Sequence, residues 1–132
     1  GVFCLAGRTQ LGKVLKRALK ETRQKKVSAL VFVGDAMEED IDHLGHMAGE
    51  LGLLGVPCFM FHEGDDPLSR KAFQQIARLS GGAFCNFDSG SAKQLRELLS
   101  AVAVFAAGGR RALVDYGKKT GGLVPQLTHQ VK

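Results

Sequence analysis

Short apolar runs alternate with longer amphipathic segments along this chain. The clearest run, residues 27–34, is rich in β-branched residues, does not alternate between apolar and polar positions, and ends in Gly34 followed by Asp35. A run of this kind is typical of a strand that is buried on both faces of a parallel sheet. Residues 56–62 and 83–87 predict two further strands.

Apolar residues at helical spacing occupy the segments around these strands. They predict helices at residues 10–23, 38–51, 67–80 and 92–107. Residues that can accept hydrogen bonds from first-turn amides precede them: Thr9, Asp35 (in a capping box with Glu38), Asp66 before Pro67, and Ser91. Glycines are predicted to end two of the helices: Gly52 the second, and Gly81 with Gly82 the third. In the third helix, the stripe predicted to face the core comprises Leu68, Ala72, Ile76 and Leu79.

The alternation of strands and helices predicts a three-layer α/β fold with parallel strands, right-handed crossovers and helices on both faces. Gly1–Gly7 fits either a short strand or a packed lead-in. With three strands, the edge of strand 27–34 is expected to be open unless upstream strands cover it. We expect a domain over residues 1–109 that is truncated at its N-terminus. A partly disordered extension over residues 110–132 is expected to have little regular structure from residue 118 onward.

Composition places the chain among ordinary globular domains. Hydrophobic residues make up 45% and charged residues 23% of its 132 residues, and no apolar run approaches the length of a membrane span. No signal peptide is visible. Cys4, Cys58 and Cys85 have no C-x-x-C spacing, so we expect buried free thiols in a reducing, cytoplasmic compartment.

Charge is strongly segregated along the sequence. Residues 1–26 contain eight Lys or Arg and one Glu, whereas residues 27–66 contain nine Asp or Glu and no Lys or Arg. The acidic residues therefore concentrate around the ends of the first two predicted strands. Such a surface disfavours phosphate and suits a cation or a basic partner.

The order of motifs resembles a known family. Thr9 precedes a helix, a buried strand ends in Gly34 and Asp35, and two further strand–helix units follow. In this combination, residues 7–107 resemble the von Willebrand factor A family, and in particular the C-terminal part of a bacterial member. The resemblance implies a Rossmann-like parallel sheet, here without the family's N-terminal strands.

The same resemblance implies a metal site. In that family a Mg²⁺ or Mn²⁺ ion is held at the top of the sheet by an Asp-x-Ser-x-Ser motif, a Thr in a Gly-rich loop and an Asp that ends the fourth strand. Thr9 and Asp35 match the last two ligands. The Asp-x-Ser-x-Ser motif is missing from this chain, and Arg8 departs from the small residues usual beside the Thr. The implied function is non-enzymatic binding of a partner protein's acidic residue through the metal, weak or absent in this chain alone.

Other interpretations of these residues stay open. Thr9 and Asp35 are also explained as helix caps. His43 and His46, with Glu39 and Glu50, suggest zinc, but these residues lie opposite the apolar stripe of their helix, which favours a solvated face.

Two further functions are weighed against metal-dependent protein binding. Three basic pairs (Lys25-Lys26, Arg110-Arg111 and Lys118-Lys119) suggest a scaffold that contacts nucleic acid, although no aromatic stacking platform accompanies them and a solvated surface is the simpler interpretation. The polar loop from His62 to Asp66 follows a strand, where an α/β enzyme keeps its chemistry. No G-x-G-x-x-G nucleotide loop and no G-x-S-x-G nucleophile motif occurs.

Overall fold

The computed structural model describes residues 2–6, 11–25, 27–35, 40–88 and 90–131. Within these ranges the chain alternates strands and helices and ends in two consecutive helices. The elements are β1 (Val2–Ala6), α1 (Leu11–Gln24), β2 (Ala29–Gly34), α2 (Ile41–Leu53), β3 (Cys58–Glu63), α3 (Pro67–Ser80), β4 (Ala83–Phe87), α4 (Ala92–Thr120) and α5 (Val124–Thr128).

The strands form one sheet in the order β1-β2-β3-β4, and every neighbouring pair is parallel. The predicted α/β class with a parallel sheet is therefore confirmed. The segment at Gly1–Gly7, which the sequence left undecided, contains β1. Because β1 pairs with β2 from Val2↔Ala29 to Ala6↔Val33, the expectation of an open edge at residues 27–34 was wrong. The edges of the described sheet are β1 and β4.

One face of the sheet is covered by α1, α2 and α3. Because the strand order follows the sequence, right-handed crossovers place all three connecting helices on the same side. Leu30 and Phe32 of β2 and Met60 of β3 pack there against buried helix residues such as Leu15 and Leu44. Alternate strand residues point to opposite faces, so this layer takes every second side chain of each strand.

The opposite face is covered by α4 and α5. Val31 of β2 and Phe59 of β3 point to this side and share one buried cluster with Leu98 of α4 and Leu127 of α5. Helices therefore lie on both faces, as the sequence predicts. None of the helices in the described ranges has the length and apolar character needed to cross a bilayer.

The N-terminal caps of α3 and α4 match the sequence prediction, and both ends of α2 differ from it. Asp66 accepts a hydrogen bond from the Ser69 amide, and Ser91 accepts one from the Gln94 amide. In α2 the cap is Asp40, whose side chain accepts from the Asp42 amide at 3.0 Å, so capping by Asp35 was wrong. Gly52 lies inside α2, which continues to Leu53.

The stripe predicted for α3 was half wrong. Ala72 and Ile76 are buried, but Leu68 is 59% exposed and Leu79 is 40% exposed. Phe73 takes the place beside Ile76 in the core. The reason is a rotation of the helix that turns Ser69 and Phe73 toward β3, where polar groups are available to Ser69 and an aromatic ring to Phe73.

The C-terminal region is more ordered than the sequence predicts. Beyond Gly109, where φ is +76° and the helix bends, α4 continues to Thr120, and α5 follows. Arg110 donates to the carbonyl oxygens of Thr128 (3.4 Å) and Val131 (3.2 Å), which stabilises the end of α5. The expectation of little regular structure from residue 118 was wrong, because Val124, Leu127 and Val131 bury apolar surface.

Candidate functional site

Three residues form a row across the sheet near the carboxyl ends of its strands. Gly34 of β2 pairs with His62 of β3, and His62 pairs with Asn86 of β4. Gly34 has no side chain, and an added Cβ would lie 2.8 Å from the Phe32 ring. The row therefore presents an imidazole and a carboxamide side by side on the face that α3 covers.

His62 is fully buried, and both of its ring nitrogens have partners. The Asn86 Nδ2 atom lies 2.9 Å from Nδ1, and the same amide group donates to the Gly64 carbonyl oxygen at 2.9 Å. That second bond fixes the amide orientation, because only the NH₂ end can donate to a carbonyl. Nδ1 of His62 is therefore an acceptor, and the ring carries its proton on Nε2.

The Nε2 proton is directed at Ser69. The Ser69 Oγ atom lies 2.7 Å from Nε2. Its own proton has two backbone acceptors, the carbonyl oxygen of Asp35 at 3.0 Å, which is the shorter contact, and that of Asp66 at 3.3 Å. Ser69 belongs to the first turn of α3, where Asp66 caps its amide at 3.1 Å. The chain of donors runs from Asn86 through His62 and Ser69 to Asp35, so it joins β4, β3, α3 and the end of β2.

Burial decides the charge of the imidazole. Desolvation lowers the pKa of His62, and the nearby Arg70 guanidinium lowers it further. Asp66, Asp35 and Asp65 act in the opposite direction but are the smaller influences. His62 is therefore neutral at neutral pH, which agrees with its acceptor role at Nδ1.

Ser69, His62 and Asn86 follow one another like the nucleophile, base and orienting residue of a catalytic triad. The hydrogen bond between Ser69 and His62, however, has the opposite direction to the one that catalysis needs. A base that activates serine must accept the hydroxyl proton, whereas here His62 donates to Ser69 and Ser69 donates to Asp35. Ser69 is also fully buried. The arrangement positions backbone rather than activating a nucleophile.

The two residues assigned to the metal site have different outcomes. Asp35 lies directly after β2 and is exposed, and its carboxylate has no hydrogen bond or ion pair with any described residue. Thr9 lies outside the described residues. Ala6 pairs with Val33, so the chain leaves β1 and β2 at the same edge of the sheet.

The zinc interpretation gains nothing from the geometry. His43 and His46 are exposed, as a solvated helix face requires, and His46 Nε2 lies 3.3 Å from Glu50 Oε1. Glu39 lies outside the described residues. Among the residues that the structure describes, no three His, Cys, Asp or Glu side chains are grouped to hold a metal ion.

The thiols that the structure describes are inert in character. Cys58 and Cys85 are buried and unpaired, and burial raises the pKa of Cys58 to about 12 and that of Cys85 to about 11. A thiolate is the reactive form, so neither residue is a nucleophile at neutral pH.

Sequence reasoning singled out His62 and its loop but missed the two residues that bind it. Ser69 lies within the predicted helix 67–80 and Asn86 within the predicted strand 83–87, and neither is among the candidates that the sequence offers. The available signal is a polar residue inside the apolar strand 83–87, one position before its end. In the structure His62 likewise stands one position before the end of β3. Comparisons of the chain with protein-family models, curated proteins and solved structures gave no match.

Proposed function

We propose that this chain is a non-enzymatic protein-binding module of the von Willebrand factor A type. Its binding surface is the carboxyl edge of the sheet, where Asp35 and Thr9 are ligands of a Mg²⁺ or Mn²⁺ ion. An acidic side chain of the partner protein completes the coordination of that ion. The function is cytoplasmic, in keeping with free cysteines.

The observation that carries the proposal is the state of Asp35. Its backbone carbonyl is fixed by the Ser69 hydroxyl, while its carboxylate is exposed and unengaged by described residues. An exposed carboxylate whose own backbone is held by a buried side chain is what a ligand for an incoming cation needs.

The donor chemistry fits a hard cation only in part. Carboxylate and hydroxyl oxygens are the ligands that Mg²⁺ prefers, and the ion keeps several waters when protein ligands are few. Of the two residues that the resemblance implies as ligands, Asp35 is the one that the structure describes, and Asp65 is a further exposed carboxylate in the next loop of the same edge. When bound, the ion would supply an open coordination position for a partner's carboxylate. We therefore expect weak binding by this chain and stronger binding where an Asp-x-Ser-x-Ser segment is also present.

The direction of the hydrogen bonds favours binding over catalysis at the neighbouring loop. The imidazole of His62 is buried, neutral and committed to Ser69 and Asn86. The groups that remain exposed there, Asp65 and Asp66, are carboxylates without a partner base. An enzyme that used His62 as a base would first have to break its hydrogen bonds to Ser69 and Asn86.

Paramagnetic relaxation by Mn²⁺ tests the proposal. Amide signals of a ¹⁵N-labelled sample should broaden first at Gly34 and Asp35, and Asp35→Asn should remove that broadening. Asp65→Asn is the matched control, because Asp65 is an exposed carboxylate in the next loop of the same edge. Equal broadening in wild type and Asp35→Asn, or equal loss in both variants, would overturn the metal site.

Partner binding is tested with a defined acidic ligand. A glutamate-containing tripeptide should bind in the presence of Mn²⁺, and EDTA should abolish the binding. The same peptide with glutamine in place of glutamate is the control. Binding that survives EDTA would contradict a metal-bridged contact.

A second candidate is a basic scaffold that contacts nucleic acid. Lys13, Lys16 and Lys20 lie on the exposed face of α1 at intervals of three and four residues. Retention on duplex DNA should then fall steeply as salt rises, because released counterions drive such binding. Lys16→Glu should weaken the retention, and Lys93→Glu, which changes an exposed lysine on α4, should not.

A further inference from the structure

The outer edge of β4 is occupied by a side chain from the C-terminal segment. The Gln130 Oε1 atom accepts a hydrogen bond from the Phe84 amide at 2.8 Å, and its Nε2 atom donates to the Phe84 carbonyl oxygen at 2.8 Å. Both backbone groups of one edge residue are thus paired with a single carboxamide. Nε2 also donates to the Gln126 carbonyl oxygen at 2.7 Å, which holds the carboxamide in place.

A carboxamide presents the same donor and acceptor as a peptide group. Gln130 therefore occupies the position that the backbone of a fifth strand would take on this edge. The Gln130 side chain is exposed, so the position that it occupies is open to solvent. The edge thus pairs with a peptide-like group through two hydrogen bonds.

The surface beside this edge has room and charge for a peptide's side chains. An open groove of about 500 Å³ is lined by Gln74, Arg78, Gly82, Phe84 and Gln130. Arg78 is exposed and belongs to the lining of this groove. Its guanidinium group suits acidic side chains and disfavours basic ones.

We propose that the β4 edge is a binding site for an extended acidic segment of a partner protein, which displaces Gln130 and adds to the sheet as a fifth strand. Main-chain hydrogen bonds to Phe84 replace those of Gln130. Acidic side chains on one face of the added strand contact Arg78. The site is separate from the carboxyl edge, so it does not depend on the metal proposal.

Fluorescence anisotropy with a labelled heptapeptide tests the site. The probe alternates valine and threonine and carries two glutamates. Gln130→Met keeps the length of the side chain and removes both of its hydrogen bonds to Phe84. The peptide should bind this variant about tenfold more tightly than wild type, the effect of removing one or two competing hydrogen bonds. His129→Ala, a change at the exposed neighbouring residue, should leave the affinity unchanged.

Two altered peptides separate strand addition from simple charge attraction. A peptide N-methylated at alternate residues retains its charge but cannot pair with an edge, and it should not bind. A peptide with lysines in place of the glutamates should bind more weakly. Equal binding of the methylated peptide, equal affinity of wild type and Gln130→Met, or no binding to either protein would each overturn the proposal.

Hydrogen exchange provides a measurement that does not depend on the peptide sequence. The Phe84 amide should exchange faster in Gln130→Met than in wild type, and adding the peptide should slow it again. Gln130→Ala should behave in the same way. If the Phe84 amide is equally protected in both variants and in wild type, Gln130 does not cover the edge and the proposal fails.

Discussion

The Nε2 atom of His62 lies 2.7 Å from the Oγ atom of Ser69, and both side chains are fully buried. This contact ties the end of β3 to the first turn of α3. Because Ser69 also donates to the Asp35 carbonyl oxygen, the same contact sets the position of the backbone that carries the Asp35 carboxylate. The buried hydrogen bonds of His62 and Ser69 thus help to set the position of the exposed Asp35 carboxylate.

Asn86→Asp should reverse the direction of the hydrogen bond between residue 86 and Nδ1 of His62. A carboxylate cannot donate to Nδ1 of His62, so the ring must place a proton there, and the added negative charge should raise the pKa of His62. Ring ¹⁵N shifts should change from the Nε2–H tautomer to the Nδ1–H or doubly protonated form.

Asn86→Ala separates this effect from lost packing. This substitution removes the donor to Nδ1 but adds no acceptor there. The Nε2–H tautomer should therefore persist, because Ser69 still accepts from Nε2 and the Asp35 carbonyl oxygen still accepts from Ser69. An unchanged tautomer in Asn86→Asp would show that the amide of Asn86 does not donate to His62.

The lowered pKa of His62 should make stability depend on pH. Its folded pKa is below the unfolded value, so the unfolded chain binds the extra proton first, and the free energy of unfolding should fall as pH drops below about 6.5. Over the pH range in which His62 is protonated only in the unfolded state, the free energy of unfolding changes by up to about 1.4 kcal/mol per pH unit. Urea unfolding between pH 7.5 and 5 measures it.

His62→Gln should flatten that dependence, whereas His129→Gln, at an exposed position, should retain it. Asp66 does not interfere in this window. Its pKa is lowered chiefly by Ser69, whose amide donates to the Asp66 carboxylate, so the stability that Asp66 contributes is lost only at more acid pH. An equal slope in wild type and His62→Gln would contradict the assignment of a buried neutral imidazole.

The elements could be predicted from the sequence because burial leaves a local pattern, but the polar chain could not. His62 and Asn86 are 24 residues apart, and their meeting depends on strand register, which no local pattern contains. The last helix was missed for a different reason. Val124, Leu127 and Val131 do follow a helical spacing, but their short segment lies among glycine and polar residues that are typical of a tail. The metal assignment of Thr9 and Asp35 came from resemblance and stays a prediction.

The rotation of α3 predicts unequal costs for two similar substitutions. Ile76 is fully buried and Leu68 is 59% exposed, although their spacing in the sequence gives them the same predicted role. Ile76→Ala should lower the free energy of unfolding by about 2–5 kcal/mol, the usual cost of a buried large-to-small change. Leu68→Ala should change it by less than about 0.5 kcal/mol. Chemical denaturation of both variants measures the difference, and similar costs would mean that α3 is rotated differently.

Two glycines of α2, three residues apart, should respond to alanine in opposite ways. A Cβ at Gly52 would lie 2.6 Å from the Leu79 carbonyl oxygen and 3.1 Å from the Ser80 Cα atom, so α2 and α3 would have to separate. Gly52→Ala should therefore cost about 1–3 kcal/mol, as overpacking of a rigid contact does. A Cβ at Gly49 meets nothing within 4 Å. Gly49→Ala should raise the free energy of unfolding by about 0.5–1 kcal/mol, because alanine loses less backbone entropy in a helix.

Thermal or urea unfolding of the two glycine variants measures this contrast within one helix, so differences in helix propensity between positions are small. If Gly52 ended the helix in the left-handed conformation, alanine would be destabilising through its backbone alone. Gly52 instead lies inside α2 and is not among the glycines with positive φ, so a loss at Gly52 together with a gain at Gly49 reports the close packing of α2 on α3. Equal effects at the two positions would show that the two helices do not approach each other at Gly52.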